Sequence, residues 1–251
     1  MDARVLYAGD TSLATAASYL AGVLTHAGVP FDYLASDQPI APALTDRSHA
    51  LYILSDYPVN NWRPADFEAV RSAVAGGAGL LMIGGWESFH GAAGEYPGSP
   101  LADVLPVVMQ SHDDRVNSAS PCVIEVRREH PVVEGLPFNV PPTVGGYNRI
   151  VPKPDAMQVL SLRPIEIAAA AGELRLTAGQ AEPLLVVGSY GDGRTAAFAS
   201  DVAPHWVGTL VDWGTPRITA KANGAEPVEV GGHYAELLTR LVRWTGRIDD
   251  R

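Results

Sequence analysis

Cysteine is almost absent from the 251-residue chain, in which Cys122 is the single example. One cysteine cannot form an intramolecular disulfide, and it cannot build a cysteine-rich zinc site. Glycine-rich phosphate loops are missing as well, because neither a P-loop nor G-x-G-x-x-G follows a strand-like segment. The sequence therefore predicts no nucleotide-binding loop and no cofactor, and Cys122 is expected to behave as a small buried hydrophobe.

Positive charge is also scarce, since 18 Lys and Arg stand against 28 Asp and Glu and give a net charge of −10. Such a surface repels phosphate backbones and anionic lipids, so we expect no nucleic-acid or membrane partner. No apolar run approaches the roughly 20 residues that a membrane-spanning helix needs, and the start of the chain does not resemble a secretory signal. We expect a cytoplasmic protein whose partner is a small molecule.

Apolar segments of two different periods alternate along the first third of the chain. Short continuous apolar runs are typical of buried parallel strands, and apolar residues at helical spacing predict helices between them. Asp10 or Thr11 is the expected N-cap of the first helix. This alternation predicts an α/β fold with a doubly wound, mainly parallel sheet. The predicted strands are 4–8, 31–34, 50–54 and 80–83, and the predicted helices are 12–27 and 63–75.

The middle of the chain, at about 107–182, consists instead of short β-like runs and proline-rich turns. Beyond it, segments 184–188 and 195–199 predict a hairpin, because the Gly-Asp-Gly between them suits a tight turn. Apolar residues at helical spacing predict a C-terminal helix over 234–244. We interpret residues 1–251 as a single domain with a β-rich insertion.

The segment GLLMIGGWESFHG, residues 79–91, has the layout of a nucleophile elbow without a nucleophile. Its apolar strand runs into two glycines that permit a sharp turn, and polar residues follow. In open α/β sheets, ligands bind beyond the carboxyl ends of strands, so we place a ligand crevice here. Glu87 is the candidate acid or base, although it could equally pair with a local cation. The candidate ligand contacts are Gly85, Trp86, Ser88 and His90, and Ser88 could instead cap the following segment.

A second polar cluster follows the predicted strand 195–199. Trp206 could offer a stacking face, His205 a proton-transfer group and Asp201 a carboxylate to a small polar substrate. The alternative is a structural turn in which His205 bonds to the backbone and Trp206 lies in the core. Tyr147, Asn148 and Arg149 follow two glycines, so they could reach over the crevice as a lid, or they could form a turn with Tyr147 packed down on the core.

Two further carboxylates, Asp10 and Asp56, end the first and third predicted strands. Carboxylates there cap helices or bind ligand hydroxyls, and capping is the commoner outcome. With Glu87, Asp201 and His205 they could ligate a metal ion. No H-x-H or H-E-x-x-H spacing favours such a site, so no metal is predicted.

Motifs in a fixed order also carry a family resemblance. They are GLLMIGGWESFHG (79–91), PLADVLPV (100–107), HPVVEGLP (130–137), GGYNRIVPKP (145–154), PLLVVGSYGDGRTAAFASDVAPHW (183–206) and LLTRLVRWTGR (237–247). Together they resemble a bacterial family of glutamine amidotransferase-like proteins, within the class I glutamine amidotransferase-like superfamily and related to ThuA-like proteins. The resemblance implies a flavodoxin-like three-layer α/β sandwich.

The same resemblance implies where a catalytic apparatus would stand. Active members carry a cysteine at a G-x-C-x-G elbow and a His-x-Glu after a late strand. The elbow should follow Ile83, where this sequence reads Gly-Gly-Trp, and the late strand is followed by Ser-Asp. Glutamine hydrolysis through a thioester needs a thiolate beside a base. Because Cys122 lies in a different segment, we expect no glutaminase activity.

Three functions remain open from the sequence. The chain could be a divergent family member that binds a small polar ligand, of carbohydrate origin by analogy with ThuA-like proteins. It could be an enzyme that acts on such a ligand by acid/base catalysis through Glu87 or His205. It could also be a non-catalytic scaffold or regulatory subunit. Self-association is usual among soluble proteins of this kind, so a homo-oligomer is expected.

Overall fold

The computed structural model describes residues 4–46, 48–170 and 172–248. The helices of these residues are α1 (Ala17–His26), α2 (Ala41–Asp46), α3 (Pro64–Ala75), α4 (Pro100–Val104) and α5 (Gly232–Gly246), with 3₁₀ turns at Val59–Asn61 and Gly208–Asp212. The strands are β1 (Val5–Gly9), β2 (Phe31–Leu34), β3 (Leu51–Ser55), β4 (Gly79–Ile83), β5 (Val107–Met109), β6 (Arg115–Val126), β7 (Thr143–Asn148), β8 (Ile150–Pro152), β9 (Met157–Ala170), β10 (Glu173–Ala178), β11 (Glu182–Tyr190), β12 (Gly193–Phe198), β13 (Arg217–Ala220) and β14 (Val228–Gly231).

One half of the large sheet is parallel, in the strand order β2-β1-β3-β4-β12. Helices cover both of its faces, which is why β1, β3 and β4 are buried along their whole length. Successive residues of a strand point to opposite faces. At the start of β12, Gly193 faces α3 whereas the Arg194 side chain reaches the carbonyl of Trp244 in α5. The predicted α/β fold is therefore confirmed.

The other half of the sheet is antiparallel, in the order β12-β11-β9-β6-β7, with β10 paired to the outer part of β9. Strands β6, β7, β9 and β10 of the β-rich insertion thus continue the same sheet, whereas β5 and β8 form a separate two-stranded sheet. The prediction of a mainly parallel sheet holds only for the first half. The reason is that hairpins join the later strands, and a hairpin can only pair its strands antiparallel.

The first helix begins later than its apolar spacing predicts, at Ala17, and its N-cap Ala16 makes no side-chain capping bond. The predicted capping role of Asp10 or Thr11 is therefore wrong. Both residues adopt left-handed φ angles, 52° and 62°, and the Asp10 carboxylate is already bonded to Tyr7 and Ser55. A carboxylate with two inward partners is not available to the helix.

The last helix, α5, packs against β3, β4 and β12 and also touches α1. Gly79 opens β4 and lies against the backbone of Thr245 near the end of α5, since a Cβ at Gly79 would stand 2.3 Å from that carbonyl oxygen. The C-terminal end of α5 therefore lies at the amino edge of the parallel strands. Within the described residues, no helix is both long and apolar enough to cross a bilayer.

Candidate functional site

The carboxyl ends of β1, β3, β4 and β12 are neighbours in the sheet, so whatever follows these strands meets at one edge. Asp10 follows β1, Asp56 follows β3 and Asp201 comes shortly after β12. The loop at 84–91, which we call the β4 bend, follows β4. These segments meet at the edge where the sequence predicts a ligand crevice, and we call this edge the crevice.

Three carboxyl groups, Asp10, Asp56 and Asp201, lie in the floor of the crevice, and each has a raised pKa. Asp10 is 2% exposed and accepts hydrogen bonds from the hydroxyls of Tyr7 and Ser55. Burial, followed by the charges of Asp201 and Asp56, raises the pKa of Asp10 well above its ordinary value. Burial raises the pKa of Asp56 to about 7, and burial with the Asp56 charge raises the pKa of Asp201 to about 7. The floor therefore retains protons near neutral pH.

The Asp56 carboxylate lies against the β4 bend and bonds its backbone. The Glu87 amide donates to Asp56 Oδ1 at 2.8 Å, and the Trp86 amide donates to the same carboxylate. Gly85 is required here, because a Cβ would stand 2.0 Å from Asp56 Oδ1. Asp56 itself holds a left-handed φ of 47°, and its own amide donates to Ser88 Oγ at 2.9 Å. Ser88 thus fixes Asp56 from a fully buried position.

The remaining amides at the start of the bend also have internal partners. The Gly84 amide donates to the Phe198 carbonyl at 2.7 Å, and the Gly85 amide donates to Asn148 Oδ1 at 2.9 Å. Together with the two amides on Asp56, all four N–H groups from residue 84 to residue 87 are engaged. These backbone amides are consequently not available to a ligand.

Asn148, one of the residues predicted to reach over the crevice, and Asp114, which sequence reasoning missed, clamp the bend from the insertion. Asn148 Nδ2 donates to Asp114 Oδ1 at 2.7 Å and to the Gly85 carbonyl at 3.1 Å. Asp114 accepts in turn from the amides of His90 and Gly91. Both side chains are buried. The signal was the segment GGYNR, in which the asparagine stands beside the tyrosine that the sequence analysis singled out.

Tyr147 is buried, and its pKa is raised by burial and by the charge of Glu182, with a further contribution from Cys122. Strand alternation explains this, because Asn148 points to the bend and its neighbour in β7 must point away. The ring therefore packs among residues of the insertion instead of covering the crevice.

The mouth of the crevice is an exposed aromatic and cationic surface. Trp86 is 43% exposed, and its indole N–H donates to His205 Nε2 at 3.0 Å. Because an indole N–H only donates, His205 Nε2 is the unprotonated nitrogen in this contact. The Arg115 guanidinium lies 4.3 Å from the centre of the Trp86 ring and is held by Asp113 at 2.7 Å. Arg115 was not predicted from the sequence.

The other predicted residues serve the wall of the crevice. Trp206 is 1% exposed, packs against Gly146 and donates its indole N–H to Asn117 Oδ1 at 2.7 Å. Asp201 accepts from the Ala203 amide at 2.8 Å. His90 is partly buried, and its Nδ1 lies 3.1 Å from the Gly91 carbonyl oxygen.

Comparison with known families decides the relationship. The model of the family described as "Putative glutamine amidotransferase" matches residues 44–218. The chain belongs to this glutamine amidotransferase-like family. No curated protein matches the chain in sequence.

Solved structures agree with that family membership. The chain is similar to two cytoplasmic proteins of Salmonella typhimurium. STM3548 is 27% identical with a TM-score of 0.71, over 96% of this chain and 98% of the other. STM1381 is 25% identical with a TM-score of 0.72, over 96% and 99%. A ThuA-like protein of Bacteroides uniformis, 15% identical with a TM-score of 0.55 over 96% and 90%, shares the fold.

Within this glutamine amidotransferase-like frame, the only cysteine lies outside the β4 bend. Cys122 is fully buried in β6, which is separated from β4 by β12, β11 and β9. Burial also raises the pKa of its thiol, which opposes thiolate formation. The position expected of a nucleophile is occupied by the glycines and tryptophan of the β4 bend.

The two candidate proton-transfer residues are not joined to each other. Glu87 and His205 both lie in the described chain, yet no hydrogen bond links them, and His205 contacts Trp86 instead. Glu87 is half-buried, and burial raises its pKa. No group of three or more His, Cys, Asp or Glu side chains among the described residues is arranged to hold a metal ion.

Proposed function

We propose that this family member has diverged from glutamine hydrolysis and binds a small polar ligand of carbohydrate type at the crevice. The observation that carries the proposal is the β4 bend. Acyl transfer needs a nucleophile and free amide donors for the oxyanion. The bend has no thiol, and its amides from residue 84 to residue 87 already bond Asp56, Asn148 and Phe198.

The chemistry of the mouth supports a sugar-like ligand. An exposed indole can pack on the apolar face of a sugar ring, while charged groups bond its hydroxyls. Trp86 supplies the indole, and Arg115, Glu87 and His205 stand beside it. In this proposal Gly85, Ser88, His90, Asp201 and Trp206 shape the wall, and Tyr147 supports it from behind. The analogy with ThuA-like proteins favours a carbohydrate over an amino acid.

A second candidate function is acid/base catalysis on the same ligand. It is favoured by Glu87, whose pKa burial raises, because a carboxyl that keeps its proton nearer to neutral pH is a better general acid. His205 would be the partner once a ligand displaces it from Trp86. Turnover that is lost in Glu87→Gln while binding is retained would establish this alternative.

We further propose that the protein is a cytoplasmic homo-oligomer that associates through its β9–β10 segment. The outer part of β9 and β10 form an arm, in which Ile165, Ile167 and Ala169 pair with Ala178, Leu176 and Leu174. One face of the arm is thus wholly apolar, and Leu174 and Leu176 are 73% and 68% exposed. Pairing of β10 with a second copy about Leu174 would set Glu173 opposite the other copy's Arg175. The parallel half of the sheet has the strand order β2-β1-β3-β4-β12. This is the strand order of flavodoxin-like folds, and it supports that description.

The ligand proposal is tested with two assays on the purified chain. Incubation with L-glutamine should release no ammonia above background, in the natural protein or in Cys122→Ala. A thermal-shift screen with neutral sugars and sugar acids should raise the melting temperature, and Trp86→Ala should abolish the rise while the arm variant Glu166→Gln retains it. Ammonia release from glutamine, or the absence of any shift, would contradict the proposal.

The oligomer is tested by light scattering after gel filtration. The natural chain should form a dimer or larger assembly, and Leu174→Lys with Leu176→Lys should give monomers, because charges on an apolar contact face oppose association. Val140→Lys places a lysine at an exposed valine outside the arm. It is the matched control and should not change the mass of the assembly. A monomeric natural chain would remove this part of the proposal.

A further inference from the structure

A second candidate site lies at the opposite edge of the sheet from the crevice. A cavity of about 1170 Å³ opens along the length of α5, between this helix, the end of α1, the segment 131–136 and residues 215–218 at the start of β13. We call it the basic cavity. Its volume is in the range that small-molecule sites reach.

The basic cavity concentrates positive charge in a chain whose net charge is −10. Within the described residues, Glu236 is the acidic residue of its lining, and it is bonded to Arg240. The basic residues of the lining are Arg194, Arg240, Arg243, Arg247, His26 and His233. An acidic protein that gathers arginines around one concave surface has the electrostatic complement of an anion there.

Two of the arginines are fixed in place by helix ends. Arg194 Nη1 donates to the Trp244 carbonyl at 2.8 Å, and its guanidinium lies 4.9 Å from the centre of the Trp244 ring. Arg243 Nη2 donates to the Ala27 carbonyl at 2.9 Å. These contacts neutralise carbonyls that would otherwise repel an anion at the ends of α5 and α1. Capping, however, uses only part of the Arg194 guanidinium.

A third arginine, Arg247, lines the same cavity as Arg194. Burial and the charge of Arg247 lower the pKa of Arg194, and Arg194 in turn helps lower the pKa of His130. No carboxylate of the described residues forms an ion pair with Arg194 or Arg247. Two guanidinium groups that line one cavity without a carboxylate partner among the described residues form an arrangement that a bound anion would stabilise.

We propose that the basic cavity binds a small molecule with two or more anionic groups, phosphate or carboxylate, through Arg194 and Arg247. A guanidinium presents paired N–H donors that match the oxygens of either group. The site is independent of the crevice, because it lies at the other edge of the sheet and shares no lining residue with it.

Calorimetric titration with pyrophosphate and with citrate, at constant ionic strength, tests the proposal. At least one should bind, and the difference between them distinguishes a phosphate site from a carboxylate site. Arg247→Gln should weaken binding about tenfold or more, because a charge-assisted contact is lost. Arg175→Gln removes the same charge from the exposed strand β10 and should bind as the natural chain does.

Three outcomes would overturn the proposal. The first is that neither anion binds the full chain. The second is that Arg247→Gln binds as tightly as the natural protein. The third uses a variant that ends at Ile248 and so lacks Asp249 and Asp250. If anions bind only to that variant, the chain's own terminal carboxylates, and not a ligand, are the anions that the arginines meet.

Discussion

The two edges of the central sheet carry charged side chains of opposite sign, and they accommodate these charges in different ways. At the carboxyl edge, Asp10 and Asp201 are buried and Asp56 is partly buried; all three accept hydrogen bonds from hydroxyls or amides of their own chain and have raised pKa values. At the amino edge, Arg194 and Arg243 line an open cavity and bond neutral carbonyls. Protons lower the charge at the first edge, whereas a guanidinium cannot lose its proton in this way.

Because of this difference, the edge where the fold predicts a ligand is not the edge where charge and open space remain. The carboxyl edge is where α/β folds usually place a ligand, but here its backbone donors are consumed internally. Only the mouth around Trp86 still presents groups to solvent. The amino edge keeps its charge and its space, although its position gives no reason to expect a site. Variants that disturb one edge at a time can test how far the two edges differ.

The largest effect is expected from Gly85→Ala, which breaks the closed carboxyl edge. The added Cβ would collide with the Asp56 carboxylate at 2.0 Å and force the bend away from Asp56 and Asn148. The free energy of unfolding should fall by roughly 3 kcal/mol or more, as for other overpacked sites that lose buried hydrogen bonds. Urea denaturation measures this loss.

Gly76→Ala is the matched control for that variant, because a Cβ at Gly76 meets its nearest atom at 3.5 Å. Its unfolding free energy should stay within about 0.5 kcal/mol of the natural value. Equal stability of Gly85→Ala and Gly76→Ala would show that the contact between the bend and Asp56 is not as tight as described.

A smaller effect, with a defined pH dependence, is expected from Asp201→Asn. The pKa of Asp201 and of Asp56 is about 7 in the folded protein, against about 3.9 for an unfolded aspartate. The folded state therefore holds protons that the unfolded state has released, and unfolding free energy must fall as pH rises from about 4 to about 7. The substituted asparagine would keep an acceptor oxygen for the Ala203 amide without the charge.

The variant Asp201→Asn should therefore be more stable than the natural protein at pH 8, by roughly 1 to 3 kcal/mol. At pH 4 the two proteins should differ little, because the carboxyl is then protonated in the folded state. Denaturation curves at the two pH values test this, and Glu166→Gln in the exposed arm should show no such pH dependence. A natural protein that gains stability between pH 4 and 7 would contradict the raised pKa values.

The sequence was sufficient for the parallel half of the fold, whereas the ligand crevice at its carboxyl edge stays a prediction. Strand β2 has the predicted bounds, and β1, β3 and β4 differ from theirs by single residues, because continuous apolar runs bounded by glycine or polar residues leave little freedom. The start of α1 was missed because tertiary contacts of Asp10 outweigh its capping preference. The sequence also placed Glu87 and Ser88 beside the crevice.

The clamp and the basic cavity could not be predicted in the same way. Asn148 and Asp114 reach the bend from the insertion, and Arg194 meets Arg247 only because β12 and α5 are packed together. Such contacts depend on how distant segments pack, and a periodicity of neighbouring residues carries no information about them. From the sequence alone, a residue at one position could therefore contact many different partners in the fold.

The smallest effect expected is the energetic coupling between substitutions at the two edges. If they are independent, the stability changes of Asp201→Asn and Arg247→Gln should add in the double variant to within about 0.5 kcal/mol, as for other distant sites. Asp10→Asn combined with Asp201→Asn is the positive control. These carboxyls raise each other's pKa, so their coupling should exceed about 1 kcal/mol at pH 8. A comparable coupling between Asp201 and Arg247 would mean that the sheet transmits charge from one edge to the other, and the two sites would then have to be treated as one.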